Sequence, residues 1–359
     1  MKNILELCLA DGLGGLEMFV ATCYEDFSKK NTCKLVVSPD SKLDNYFDNE
    51  DKFHIKRNKF FPIFPALKLA KYIDQNEIDI VHFHWTKDIL TAVLAKLLSK
   101  RKTKLVQSRH MRMTRFKDDF YHKWLYRNID MMHAVTLEVK TELEKFIPEG
   151  IRPKIEMIYL GTDIPEVDEQ KVQQLRAKYA LQDKFVVGII GRIEEPKGQW
   201  MVLEVIEKLK ELDIVVLIVG SAMDEQYLAK LKQYIIEADI EDKVIFSGFT
   251  KDVAEHLKLF DVNILATEHE TFGLVVIEAM ANKIPVIATK KGGPLEIITD
   301  GEDGLLFNRT VDDLVEKINL LYSNKELKKL LVTKAFEKVR TTFDRAIQLE
   351  KLYRILSES

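Results

Sequence analysis

"VNILATEHETFGLVVIEAMANKIPVIAT", residues 262–289, decides how the chain folds. "VNILAT" (262–267) and "IPVIAT" (284–289) are short apolar runs rich in β-branched residues, the signature of buried strands. Between them "FGLVVIEAMANK" places apolar residues at helical spacing from Gly273 onward. A strand, a loop, a helix and a second strand form the unit from which parallel sheets are built, because a parallel pair needs a crossover between its strands.

The same alternation extends in both directions. Upstream in the second half, "KFVVGIIG" (184–191), "DIVVLIVG" (213–220) and "KVIFSG" (243–248) read as strands with helices between them. In the first half the strands are "NILELCL" (3–9), "CKLVVS" (33–38), "DIVHFHW" (79–85), "KLVQSRH" (104–110), "MMHAVT" (131–136) and "KIEMIYLG" (154–161), with helices over 15–30, 63–76, 88–100 and 117–128. The polar helical stretch 166–183 reads as a linker, after which the pattern restarts. The expectation is an α/β protein of two doubly wound domains, 1–165 and 166–342, with helices over 311–322 and 325–340 and an amphipathic helix at 343–359.

Composition limits the function classes. The 359 residues are 46% hydrophobic and 31% charged with a net charge of -3, as in a soluble globular protein with no overall bias toward an acidic or basic partner. Cys8, Cys23 and Cys33 lack metal-ligand spacing and read as reduced thiols of a cytoplasmic protein. "MKNILELCLADGLGG" is interrupted by Glu6 and Asp11 and is not a signal peptide. No apolar run approaches the ~18–20 residues that span a bilayer.

The opening stretch also carries chemistry. Glu270 falls in the loop after a strand, and Glu278 lies about one and a half turns into the helix, at about 3.6 residues per turn. A helix N-terminus between them suits a phosphate, and Gly273 clears the approach. A capping glutamate and a solvated helix glutamate would give the same pattern. "GRIEEPKGQW" (191–200) adds Arg192 and Lys197 at another strand end, two cations able to hold a diphosphate as it leaves. "KGGPLEII" (290–297) brings Gly292, Gly293 and Glu296 to the same sheet edge.

Taken in order, "GR…KG" (191–198), "SGF" (247–249), Glu270…Glu278, "GG-x-x-E" (292–296) and "DGLLF" (303–307) resemble the donor domain of retaining GT-B glycosyltransferases of the family-4 type. The resemblance implies two Rossmann-like domains facing a central cleft, with the last helix crossing back to the first. It implies that Glu270 binds donor-sugar hydroxyls and Glu278 the ribose. The backbone at Phe272, Gly273 and Leu274 would contact sugar and diphosphate, Arg192 and Lys197 would hold the diphosphate, and Phe249 would lie along the base. In the first domain "DGLGGLE" (11–17) resembles the loop facing the diphosphate, through Gly14 and Gly15. It fails as a dinucleotide fingerprint because residue 17 is Glu, which argues against a nicotinamide dehydrogenase. His110 matches a histidine near the donor sugar, with Ser108 where the family usually has Thr, and His84 is expected to line the acceptor side.

The resulting expectation is a retaining transferase using a nucleotide-diphosphate sugar, UDP favoured, with a glycan or lipid-linked acceptor and no metal cofactor. A nucleotide-sugar epimerase or an inactive nucleotide-sugar-binding subunit remains the alternative. Residues 52–127 hold 18 Lys/Arg against 6 Asp/Glu, interleaved with aromatics such as Phe60, Phe61 and Phe64. Arg109, Arg112 and Arg115 belong to this stretch and are candidates for acceptor binding. Such a face suits an anionic membrane surface or a phosphorylated lipid-linked acceptor, and it would equally arise as an ordinary solvated basic surface. No nucleic-acid motif accompanies it.

Overall fold

The computed structural model describes residues 2–47, 51–58 and 61–358. The chain forms two compact units, Met1–Leu160 with Ala346–Ser359, and Gly161–Arg345.

The first unit is built on β1 (Ile4–Cys8), β2 (Cys33–Val37), β3 (Lys52–His54), β4 (Ile80–Phe83), β5 (Lys104–Arg109), β6 (Met131–Ala134) and β7 (Lys154–Met157). Their order is β3-β2-β1-β4-β5-β6-β7, and every pair is parallel. The order reverses between β1 and β4, so the loops after these two strands diverge and leave a crevice at the carboxyl edge. Leu349, Leu352 and Leu356 of the C-terminal helix Arg345–Glu358 are buried in the core of this unit with Ile4, Phe27 and Leu35. All three cysteines are free and buried.

The second unit holds β8 (Phe185–Ile190), β9 (Ile214–Val219), β10 (Val244–Gly248), β11 (Val262–Leu265), β12 (Val286–Thr289) and β13 (Leu305–Phe307). Their order, β10-β9-β8-β11-β12-β13, is again all parallel, with its reversal between β8 and β11. Apolar strands covered on both faces, such as Ile214–Val219 with every residue buried, account for the continuous hydrophobic runs.

β3, β13 and the helix Leu137–Phe146 were not anticipated. The two strands are three residues long, too short for periodicity to register. The helix is signalled by Thr136, whose hydroxyl accepts from the Val139 N–H at 3.2 Å. The helix expected over 117–128 begins only at Phe120, where the Asp119 carboxylate accepts from the His122 N–H at 3.0 Å. Within the second unit, its first and last residues are joined by backbone bonds, Thr162 N–H to Phe343 O at 2.9 Å and Arg345 N–H to Thr162 O at 3.1 Å.

Leu352 is 1% exposed, so Leu352→Ala leaves a cavity in the first unit's core. It is expected to cost about 2–5 kcal/mol, measured by denaturant unfolding. A loss within a few tenths of a kcal/mol would mean that the C-terminal helix is not part of that core.

Candidate active site

Three loops of the second unit, after β8, β11 and β12, meet at its carboxyl edge. The chain leaves β8 through Gly191 and Arg192 and makes the short turn Glu195–Lys197. It then enters the helix Gln199–Lys208 through Gly198. Gly198 has φ +78°, and a Cβ there would lie 2.4 Å from the Ala266 carbonyl oxygen, so both backbone conformation and proximity to the end of β11 demand glycine. Buried Gln199 donates from Nε2 to the Arg192 carbonyl at 2.9 Å, and the Glu268 N–H donates to Pro196 O at 2.9 Å. These bonds set the two loops beside each other.

As a result Lys197 Nζ donates to Glu270 Oε2 at 3.0 Å, with both side chains about three-quarters covered. Glu270 keeps Oε1, and Lys197 keeps two further N–H donors. Arg192 is exposed and paired with Glu194 at 2.9 Å. Behind Glu270, the Gly293 N–H donates to its carbonyl at 2.9 Å. A Cβ at Gly292 would sit 2.3 Å from Glu270 O, and one at Gly293 2.2 Å from Phe272 O. The paired glycines therefore let two loops touch along their backbones.

Phe272 is 3% exposed and packs edge-on against Phe343 at 6.0 Å, so only its backbone faces the edge. Gly273 has φ +102° and precedes the helix Leu274–Ala281. Phe249 is 67% exposed after β10. Glu278 lies within the helix, and its carboxylate makes no hydrogen bond or ion pair among the described residues. Burial pushes its pKa from 4.5 up to about 7.

The first unit contributes its own carboxyl edge. Gly14 precedes the helix Gly15–Lys30 in extended backbone, and its N–H donates to Glu17 Oε2 at 2.8 Å. Buried Asp88 accepts from the Leu9 N–H at 2.9 Å and ties the loop after β1 to the helix that follows β4. Burial raises the Asp88 carboxyl to about 7. His110 is partly exposed at the end of β5.

Two expectations require correction here. His84 does not line a surface: it is 1% exposed, and its Nε2 lies 2.7 Å from the buried carboxylate of Glu6. Arg109 is not an available cation either. It is 6% exposed and donates to Met111 O at 2.7 Å, Thr86 Oγ1 at 2.6 Å and Arg112 O at 2.7 Å, holding the loop after β5. Arg112 is engaged by Glu142 at 2.6 Å, while Arg115 is exposed. Burial, followed by the charges of Arg115 and Arg109, lowers the Lys117 pKa. Phe61, Phe64, Met111, Phe116 and Phe120 are exposed around this basic region; Phe60 lies outside the described residues.

Sequence reasoning missed Glu6, Gln199 and Asp88. Glu6 carried a signal, a charge inside the apolar strand "NILELCL". The donor atoms of Glu6, Cys23 and His82 lie within 4.8 Å of one another. Both Glu6 oxygens are already bound by histidines, and burial drives the Cys23 thiol pKa well upward. This cluster is a hydrogen-bonded part of the core.

A sheet order reversing beside a cation–carboxylate pair and a helix N-terminus defines a site for an anionic ligand bearing hydroxyls. Two family profiles match the chain, glycosyl transferases group 1 over residues 171–338 and glycosyltransferase family 4 over 13–165. The chain belongs to the group 1 glycosyltransferases, and its fold is GT-B. It is 30% identical over 248 residues to the N-acetyl-alpha-D-glucosaminyl L-malate synthase of Bacillus anthracis, covering 67% of this chain and 64% of that one. It is 25% identical over 353 residues to CapM of Staphylococcus aureus, a capsular polysaccharide biosynthesis glycosyltransferase, covering 92% of this chain and 91% of the relative. The structure of Anabaena HepE, in complex with UDP and glucose, matches with a TM-score of 0.88 at 19% identity over 100% of both chains, which shows the shared fold.

The raised pKa of Glu278 has a stability consequence. An acid whose folded pKa exceeds its unfolded value contributes stability that is complete below about 4.5 and is lost as pH rises through about 7. Glu278→Gln removes the cost of ionising a buried carboxyl. Its melting temperature should therefore match the parent at pH 4 to 5 and exceed it at pH 8. The opposite order at pH 8 would show that the carboxylate is stabilised by a partner.

Proposed function

We propose that this glycosyltransferase moves a sugar from a nucleotide-diphosphate sugar to a hydroxyl of a glycan or lipid-linked acceptor in cell-surface polysaccharide synthesis, with retention at the anomeric carbon. The observation that carries the reading is the second unit's edge, where the Lys197–Glu270 pair and the start of the helix Leu274–Ala281 precede the unpartnered Glu278. The helix terminus and the cations Lys197 and Arg192 suit a diphosphate. Glu270 and Glu278 are acceptors without a donor role when ionised, which suits sugar and ribose hydroxyls. Exposed Phe249 offers a flat apolar surface for a base. UDP is the nucleotide proposed because HepE, of the same fold, holds it.

In the proposed transfer the bond from the anomeric carbon to the diphosphate oxygen breaks. A bond from that carbon to the acceptor oxygen forms on the same face, and the acceptor's proton passes to the departing phosphate oxygen. Negative charge grows on the diphosphate as this happens, so Lys197 and Arg192 stabilise the transition state more than the bound donor. Lys197→Ala and Arg192→Ala are each expected to lower turnover by ~10²–10³ with the fold intact. We also propose that no metal is needed, so activity should survive excess EDTA. Loss of activity in EDTA with rescue by magnesium or manganese would assign the charge to an ion instead.

Glu270→Gln should retain affinity for free nucleotide diphosphate and lose most transfer, whereas Glu278→Ala should weaken nucleotide binding itself. Calorimetric titration with UDP separates them, and equal losses of affinity would end this division of roles.

We further propose that the first unit meets an anionic membrane surface, at the inner face of the cytoplasmic membrane, through its basic and aromatic residues. No helix among the described residues is long and apolar enough to cross a membrane. Phe61 and Phe64, Leu67 on the helix Ile63–Gln75, and Phe116 and Phe120 near Arg115 are exposed apolar groups among cations. Each cation near an anionic surface contributes about 1 kcal/mol, weakening with salt. Vesicles containing phosphatidylglycerol should co-float the protein at low salt and neutral vesicles should not. Equal capture by both would remove the surface from the proposal.

A further inference from the structure

Four adjacent strands of the first sheet, β1, β4, β5 and β6, carry a line of buried polar side chains along one face. Glu6 and His82 are cross-strand neighbours, as are Ser108 and His133. His82 and His84 are two residues apart, as are Ser108 and His110, so each pair shares a face of the pleat. The Phe19 ring packs over this line, with centroids 5.8 Å from His84, 5.1 Å from His110 and 6.2 Å from His133.

The hydrogen bonds form one unbroken chain. His133 Nε2 meets Ile158 O at 2.7 Å, and its Nδ1 meets Ser108 Oγ at 2.7 Å. Ser108 Oγ meets His82 Nε2 at 2.7 Å, and His82 Nδ1 meets Glu6 Oε1 at 2.9 Å. Glu6 Oε2 meets His84 Nε2 at 2.7 Å, and His84 Nδ1 meets His110 Nε2 at 3.3 Å.

Counting donors along this chain, with the protonation of its buried members, sets the direction of the bonds that lead to His110. Ile158 O only accepts, so His133 Nε2 carries hydrogen. Burial holds His133 at about 3, so it is neutral and its Nδ1 is bare. The Ser108 hydroxyl must donate to that nitrogen, which leaves its oxygen to accept from His82 Nε2. Between His82 Nδ1 and Glu6 there is one proton. Burial alone would raise the Glu6 pKa, but the charges and hydrogen bonds of His82 and His84 outweigh it and hold Glu6 at about 2. Glu6 is therefore ionised, and both its oxygens accept. His84, held at about 4 by burial and the His82 charge, is neutral. It donates from Nε2 to Glu6, so its Nδ1 is bare and must accept from His110 Nε2. Burial, then the neighbouring histidines and Arg109, keeps His110 neutral as well.

We propose that Glu6 is a positioning residue: through His84 it fixes the ring tautomer of His110, so that His110 presents a bare Nδ1 that accepts a hydrogen bond from a substrate hydroxyl. The substrate part rests on the glycosyl-transfer reading above; the tautomer does not. Among the described residues no hydrogen bond reaches His110 Nδ1. A ring fixed in this form recognises a donor such as a sugar O–H and disfavours an oxyanion. The family resemblance placed a histidine at this position, but its selectivity is decided by a carboxylate on β1 that touches no ligand.

The test is a long-range nitrogen–proton NMR correlation on the free protein, with ring-labelled histidine, at pH 7. The expected pattern has Nε2–H tautomers at His110 and His84. Glu6→Gln can keep the arrangement, its amide N–H donating to His82 Nδ1 and its oxygen accepting from His84 Nε2, so His110 should retain its tautomer and transfer should stay near parental. Glu6→Met removes the acceptor, so His84 and His110 should populate both tautomers and kcat should fall ~10-fold, the size of one hydrogen bond, with affinity for free UDP unchanged. An Nδ1–H tautomer of His110 in the parent protein overturns the proposal, and so does a folded Glu6→Met protein in which His110 keeps the Nε2–H form. The parent spectrum decides the tautomer even if a variant fails to fold. Because it is read without substrate, it stands or falls separately from the transfer reaction.

Discussion

Each strand in both sheets runs parallel to its neighbours, and that constraint organises the molecule. A parallel pair can be joined only by a crossover, so all strands of a sheet end at one edge and the helices that follow them begin there. Strand ends supply loops free to carry side chains, and helix starts supply N–H groups and positive potential. Where strand order reverses, between β1 and β4 and between β8 and β11, adjacent loops turn away from each other. Lys197, Glu270 and Gly273 lie beside the second reversal, and Gly14 and His84 lie beside the first. The chemistry is placed by topology before any individual contact is considered.

Three glutamates show how environment separates identical side chains. Glu270 is ion-paired with Lys197 and retains one oxygen for another partner. Glu278 has no such neighbour among the described residues, and burial leaves it readily protonated. Glu6 is fully buried yet held ionised by two histidines. A buried carboxylate that loses one of two such partners is left with an uncompensated charge, which is why the polar line across β1, β4, β5 and β6 must be complete to exist in the core. Its cost is offset by hydrogen bonds along its whole length, and its product is a ring at the sheet edge held in one form.

The basic stretch of the first unit divides into two kinds of cation. Arg109 spends its guanidinium on three oxygens of its own loop and neighbouring turn, and Arg112 is held by Glu142, so these residues shape the segment after β5. Arg115 and the aromatic residues around it remain exposed and are the part of the stretch available to a surface. Charge counted along the chain treats these residues alike; desolvation and hydrogen bonding do not.

Much of the fold was legible in local pattern. Strand runs and helical periodicity identified eleven of the thirteen strands among the described residues, because buried parallel strands are continuous apolar segments. The spacing of Glu270 and Glu278 was legible for the same reason, since a loop and a helix start separate them by fixed geometry. The sequence by itself thus determined the two sheets, the loops at their edges and the carboxylates and cations those loops carry. Only the tertiary structure decided that Gly292 and Gly293 permit backbone contact with the Glu270 loop, that Arg109 is internal, and that Glu6, His82, Ser108 and His133 form one line. Glu6 and His82 are 76 residues apart in the chain. They are neighbours only because the sheet inserts β4 beside β1, and no local propensity encodes a hydrogen bond between strands whose adjacency is set by the packing of the whole sheet.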